Sequence, residues 1–119
     1  MSRSIEETLK RLSSSKFRSS FHLSAKDRKY IEQKGMDVIA SHTRDFVRQK
    51  LSAACPDNDG RQTPMSGHPS FKAMHATACC CRGCLNRWYR VPKGIPLNEQ
   101  QQEKITRLIL AWIENEMHK

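Results

Sequence analysis

The sequence predicts a mainly α fold: a small single domain of several helices, with a long central loop and a Cys/His-rich segment. Three observations carry this. Apolar residues recur at helical spacing in several stretches, most densely as Ile105, Leu108, Ile109, Trp112 and Ile113. No stretch shows the alternation of a half-buried strand. Pro and Gly gather between Cys55 and Gly67 and interrupt the helical pattern. The 119 residues suit one domain. Only 37% of them are hydrophobic, so the core is modest and part of the chain lies outside it.

Ile5, Leu9 and Leu12 share one helical face, which predicts a short helix over 4–13 that Ser13-Ser14-Ser15 ends. With five basic and two acidic residues through Arg18, residues 1–20 read as a basic, mobile N-terminal arm. Residues 21–117 form the compact helical domain. Ser24 and Asp27 stand at capping-box spacing. Ile31, Val38, Ile39, Phe46 and Leu51 then hold an amphipathic period to about Ala53. Gly35 either kinks one long helix or closes a first helix before a second begins. Cys55 to Gly67 reads as loop, and a loop of that length in a small domain is functional or mobile. Pro69 suits the first turn of a helix that puts Phe71, Met74 and His75 on one side. Cys79 to Tyr89 can form another helix, weakened by Gly83. Asn98 caps the last one.

Four cysteines lie between Cys79 and Cys84. On a helix, Cys80 and Cys84 are i, i+4, and Cys81 and Cys84 are i, i+3, so either pair shares a face while Cys80 and Cys81 diverge. Cys81-Arg82-Gly83-Cys84 is also a C-x-x-C, the spacing of zinc sites and of thiol–disulfide enzymes. A closed zinc site needs four ligands. The expected set is His75, Cys80, Cys81 and Cys84, with His42, His68 or Cys55 as further donors. Three uses of the thiols stay open: zinc binding, a redox dithiol, and packing as small apolar side chains. Arg82 and Arg87 would lower thiol pKa values in the first two.

The charge points to a partner. Lys and Arg number 21 against 12 Asp and Glu, for a net +9, which favours nucleic acid. Between Asp59 and Glu99 there is no acidic residue, and the stretch carries Arg61, Lys72, Arg82, Arg87, Arg90 and Lys93. Those cations are placed to grip phosphates, with Trp88 stacking on bases or packing on the sulfurs. The helix N-termini near Pro69 and Cys79 would add backbone amides. No apolar run approaches the ~20 residues of a membrane span, and the N-terminus has no apolar signal core. The expectation is a cytoplasmic protein with reduced thiols.

Several longer motifs are recognisable: Phe17-Arg18-x-x-Phe21, Asn58-Asp59-Gly60-x-Gln62-Thr63-Pro64-Met65, Gly67-His68-Pro69, His75-Ala76-Thr77 and Cys80-Cys81-Arg82-Gly83-Cys84-Leu85. Together they resemble the bacterial and phage family known as domain of unknown function 4186, from about Phe17 to Ile113. The resemblance implies one compact domain in which loop 57–69 belongs with the cysteine motif. It implies Cys80, Cys81 and Cys84 as the motif cysteines and Cys79 as an extra. One position departs: Tyr89 follows Trp88 where the family pattern has histidine.

The leading reading is therefore a small basic nucleic-acid-associated protein with a structural zinc site at 75–84. An enzyme is the alternative, using the thiols and His75, or nuclease-like with His42, His68 and His75. A protein-binding regulatory module, with loop 55–68 and arm 1–20 as its contact surfaces, is the third.

Overall fold

The computed structural model describes residues 4–119. Six α-helices follow in order: α1 (Ile5–Ser13), α2 (Ala25–Lys34), α3 (Met36–Leu51), α4 (Pro69–Ala76), α5 (Arg82–Tyr89) and α6 (Glu99–Met117), with a 3-10 turn at Arg18–Ser20. No strand occurs among the described residues.

The caps are those the sequence signals. Ser24 and Asp27 form a reciprocal capping box at the start of α2, and Asn98 and Gln101 do the same for α6. Gly35 ends α2: its φ of +84° lies in the region that favours glycine, and α3 restarts at once. The chain therefore makes two helices across 25–51, not one kinked helix.

The core sits where α3 and α4 pack against α6. Ile105, Leu108, Ile109 and Ile113 of α6 are fully buried, together with Ile39 and Val47 of α3. Each such side chain contributes roughly 1.5–3 kcal/mol by leaving water. Trp112 packs at the edge of this cluster. Val38, expected on the apolar face, is instead exposed, because the buried register of α3 runs through Ile39, Thr43, Val47 and Leu51.

Residues 4–20, expected as an arm, are part of the globule; Met1–Arg3 lie outside the described residues. Thr8 and Leu12 are buried, and α1 packs on α6 and on the 3-10 turn. Arg18 explains why: it is 8% exposed, and its Nη1 donates to the His75 carbonyl at 2.7 Å. A charge count registers this residue as surface, but its hydrogen bonds hold it inside.

Candidate metal centre

The cysteine segment takes two conformations. Cys79 and Cys80 are not helical, and Cys81 is the extended N-cap of α5. The Cys84 amide donates to Cys81 Sγ at 3.3 Å, so a thiol fills the place usually held by a hydroxyl or carboxylate. Because helix begins only at Arg82, Cys80 and Cys81 need not diverge. The sulfurs of Cys80, Cys81 and Cys84 all lie within 4.8 Å of one another, and all three residues are buried. Cys79 stands apart, donating to the Thr77 carbonyl at 3.5 Å, and burial pushes its pKa up to about 12. Cys55 is exposed and distant in sequence from the cluster.

Two guanidinium groups border the sulfurs. Arg18 Nη2 donates to Cys84 Sγ at 3.3 Å and its Nη1 reaches Cys80 Sγ at 3.8 Å. Arg87 Nη2 donates to Cys84 Sγ at 3.4 Å. Cys80 donates to Cys84 across 3.5 Å. The thiol of Cys84 is held well below its ordinary range, first by the Cys80 hydrogen bond and then by Cys81, Arg18 and Arg87. Cys80 moves up in consequence, and burial raises Cys81. The opposite shifts belong to the cluster as a unit, with Cys84 its most acidic thiol.

The long loop is fastened to this segment. The Asp59 carboxylate accepts from the amides of Arg82 at 2.9 Å and Gly83 at 3.2 Å, capping α5 beside Cys81. Burial opposes ionisation of Asp59, but the hydrogen bonds from Gln62, Arg82 and Gly83 outweigh it and hold the carboxyl below its usual range. Thr63 Oγ1 donates to the Cys80 carbonyl at 2.8 Å. The α5 amides expected to receive phosphate are therefore already taken.

Several predicted site residues lie elsewhere. The His75 ring does not join the sulfurs: its Nε2 is 3.0 Å from the Thr63 carbonyl, and the ring stacks on Phe21 at 5.7 Å. His42 Nδ1 and His68 Nε2 are 3.0 Å apart among Tyr30, Phe46 and Phe71. Because His68 Nδ1 accepts from the Ser70 amide, neutral His68 carries its proton on Nε2 and donates to His42. That closed pair leaves no lone pair between the rings for a metal. His42, His68 and His75 thus do not form one site.

Two of the expected phosphate cations are occupied. Arg82 is 1% exposed, and its guanidinium donates to the carbonyls of Leu51, Ala53, Pro92 and Ile95 at 2.6–3.2 Å. It braces the end of α3 to the 91–96 segment and touches neither sulfur nor solvent. Lys72 pairs with Asp27 at 2.7 Å. Arg61, Arg87, Arg90 and Lys93 remain exposed, and no ion pair among the described residues engages them. Trp88 is half-buried, packs on the sulfur cluster, and has the Arg11 guanidinium 4.8 Å above its ring. Tyr89 donates its hydroxyl to the Thr77 carbonyl, so at this position the side chain packs.

The donor set fits a metal ion. Three soft sulfurs converge, and a divalent ion on three thiolates carries one net negative charge, which Arg18 and Arg87 are placed to offset. No fourth protein donor joins them among the described residues. The buried Cys80, Cys81 and Cys84 cluster can therefore hold a metal ion. No helix is long and apolar enough to cross a membrane. No solved structure matches the chain. A family match runs over residues 6–114 and so includes all but the first residue of α1 and both arginines of the site, and the chain belongs to the family described as Domain of unknown function (DUF4186).

Proposed function

We propose that this protein is a small zinc–thiolate domain that binds nucleic acid through a basic rim around α5. The observation that carries the reading is the convergence of three buried sulfurs between two guanidinium groups. Cys80, Cys81 and Cys84 would hold the ion, and Zn²⁺ suits a mononuclear thiolate set. When bound, the ion would tie the entry of α5 to the segment before it, and Arg18 would carry that tie to α1. The fourth position is left to water or an external donor. Thiols in this state belong in a reducing compartment, consistent with a cytoplasmic location.

The rim is Arg61, Arg87, Arg90 and Lys93, all exposed. Trp88 is covered by Arg11, so contact is to phosphates and not by base stacking. Binding should accordingly be indifferent to sequence and steeply salt-dependent. About four phosphate contacts give a log–log salt slope near −3 to −4 on duplex DNA. Elemental analysis of protein purified without added metal should find one zinc per chain. Fluorescence anisotropy with labelled DNA and RNA should show binding that Arg90→Glu with Lys93→Glu removes. A metal-free chain would overturn the first half of the proposal. No binding to either nucleic acid at low salt would overturn the second.

A thiol-based enzyme is the second reading, favoured by the two guanidinium groups that converge on Cys84. It requires Cys84 to react with iodoacetamide much faster than the exposed Cys55. Slower reaction of Cys84 in metal-free protein removes it.

A further inference from the structure

We propose that Cys80 and Cys84, and not the C-x-x-C pair Cys81 and Cys84, form a reversible disulfide under peroxide that disables the metal site. This rests on the metal-binding reading above for its consequence, but not for the bridge itself.

All three sulfurs lie within 4.8 Å of one another, and what separates the two candidate pairs is what each sulfur already does. Cys80 Sγ is 3.5 Å from Cys84 Sγ and already in direct contact with it. A disulfide needs about 2.05 Å, so the sulfurs close by roughly 1.5 Å. Cys80 lies before the N-cap, outside the helical ladder, and its thiol caps nothing. Cys81 is committed differently: its sulfur accepts the Cys84 amide and caps α5. Drawing that sulfur into a bridge would withdraw the cap. Arg18 makes the same distinction, since its guanidinium spans Cys80 and Cys84.

The chemistry balances with hydrogen peroxide as oxidant. The Cys84 thiol gives up its proton as its sulfur attacks one peroxide oxygen and breaks the O–O bond; the departing hydroxide takes that proton, giving a sulfenic acid and one water. The Cys80 sulfur then attacks the Cys84 sulfur, and the Cys80 proton leaves with the sulfenic hydroxyl as the second water. The two sulfurs lose two electrons, and one peroxide becomes two waters. Peroxide is small enough to reach Cys84, which is 5% exposed beneath the exposed Arg87. The bridge removes two of the three sulfur donors, and the third stays at the helix cap.

The test uses the full chain with Cys55→Ser, metal-loaded, treated with stoichiometric peroxide. The expected product is lighter by two hydrogens. Trypsin cuts after Lys72, Arg82 and Arg87, so the bridge should join peptide 73–82 to peptide 83–87. Fragmentation should place the first sulfur at Cys80. A chelating dye should record the whole bound metal, and dithiothreitol should restore binding. Cys81→Ser should still bridge, whereas Cys80→Ser should gain oxygen at Cys84 instead. A bridge mapped to Cys81 and Cys84, or oxygen addition without any bridge in the parent chain, overturns the proposal. Mass and mapping on metal-free protein test the bridge alone. A chain that bridges at 80–84 yet binds no metal therefore sinks the metal reading and not this one, while bound metal with no bridge does the reverse.

Discussion

Around α6, Ile39, Val47, Leu108, Ile109 and Ile113 pack together, and the buried hydroxyl of Thr43 among them is satisfied by the Ile39 carbonyl and Ser70, so their positions follow from shape and exclusion of water. Around α5, Leu12, Ala78, Cys80, Cys81 and Cys84 form a second, smaller cluster whose neighbours are guanidinium groups and carbonyls. The first cluster is complete as it stands. The second sets three sulfurs against two guanidinium groups and gathers α1, the central loop and α5 around them. Apolar packing fixes the scaffold, whereas the sulfur side depends on the charge state of its centre. That difference explains why a short helix such as α1, with few buried apolar residues, is held in place by an arginine.

The division can be broken most severely at Arg82, whose backbone belongs to the sulfur side and whose guanidinium serves the end of α3. Arg82→Met leaves four carbonyls without their donor and should lower stability by about 4 kcal/mol in urea denaturation. A loss under 1 kcal/mol would mean water replaces the fork. Ile109→Ala, in the apolar cluster, should cost about 3 kcal/mol, and Leu12→Ala about 2 kcal/mol. The comparison predicts that only the second loss changes with metal: calorimetric zinc titration should weaken for Leu12→Ala and stay at the parent value for Ile109→Ala.

A smaller effect comes from His68. Burial, then His42, hold its pKa at about 4 against 6.5 for an ordinary histidine. The folded state favours neutral His68, so this stabilisation is whole above pH 6.5 and is lost as pH falls from 6.5 toward about 4. Partial exposure trims it to about 1–2 kcal/mol. His68→Asn keeps a capping side chain and should flatten that limb of the stability–pH curve. An unchanged limb would assign it to other groups. The smallest effect is Asp59→Asn, about 1 kcal/mol for the weakened cap on α5. The parent's share from Asp59 should vanish as pH falls through the lowered carboxyl pKa, so variant and parent should converge in acid. Denaturation curves that stay apart there would exclude the charge as the cause.

Much of the scaffold was legible because its signals are local. The stripe from Ile105 to Ile113, the boxes at Ser24 and Asn98 and the break at Gly35 each speak through residues a few positions apart. The cysteines were also legible as a group. Which of them converge was not, because helical spacing separates Cys80 from Cys81 only if both are helical, and α5 starts at Arg82. Nor was the role of Arg18, since the contacts that define it lie 57 to 66 residues away in sequence. Arg82 reads as a surface cation in the sequence for a related reason: its four acceptors are carbonyls, and a carbonyl leaves no trace in a sequence.

The sulfur cap on α5 has a spectroscopic consequence. The amide proton of Cys84 points at sulfur and not at oxygen, and the electron density of that sulfur depends on whether it is protonated, metal-bound or free thiolate. The Cys84 amide resonance is thus a built-in reporter, one nitrogen–hydrogen bond whose chemical shift reads the state of the centre without any label at the centre itself.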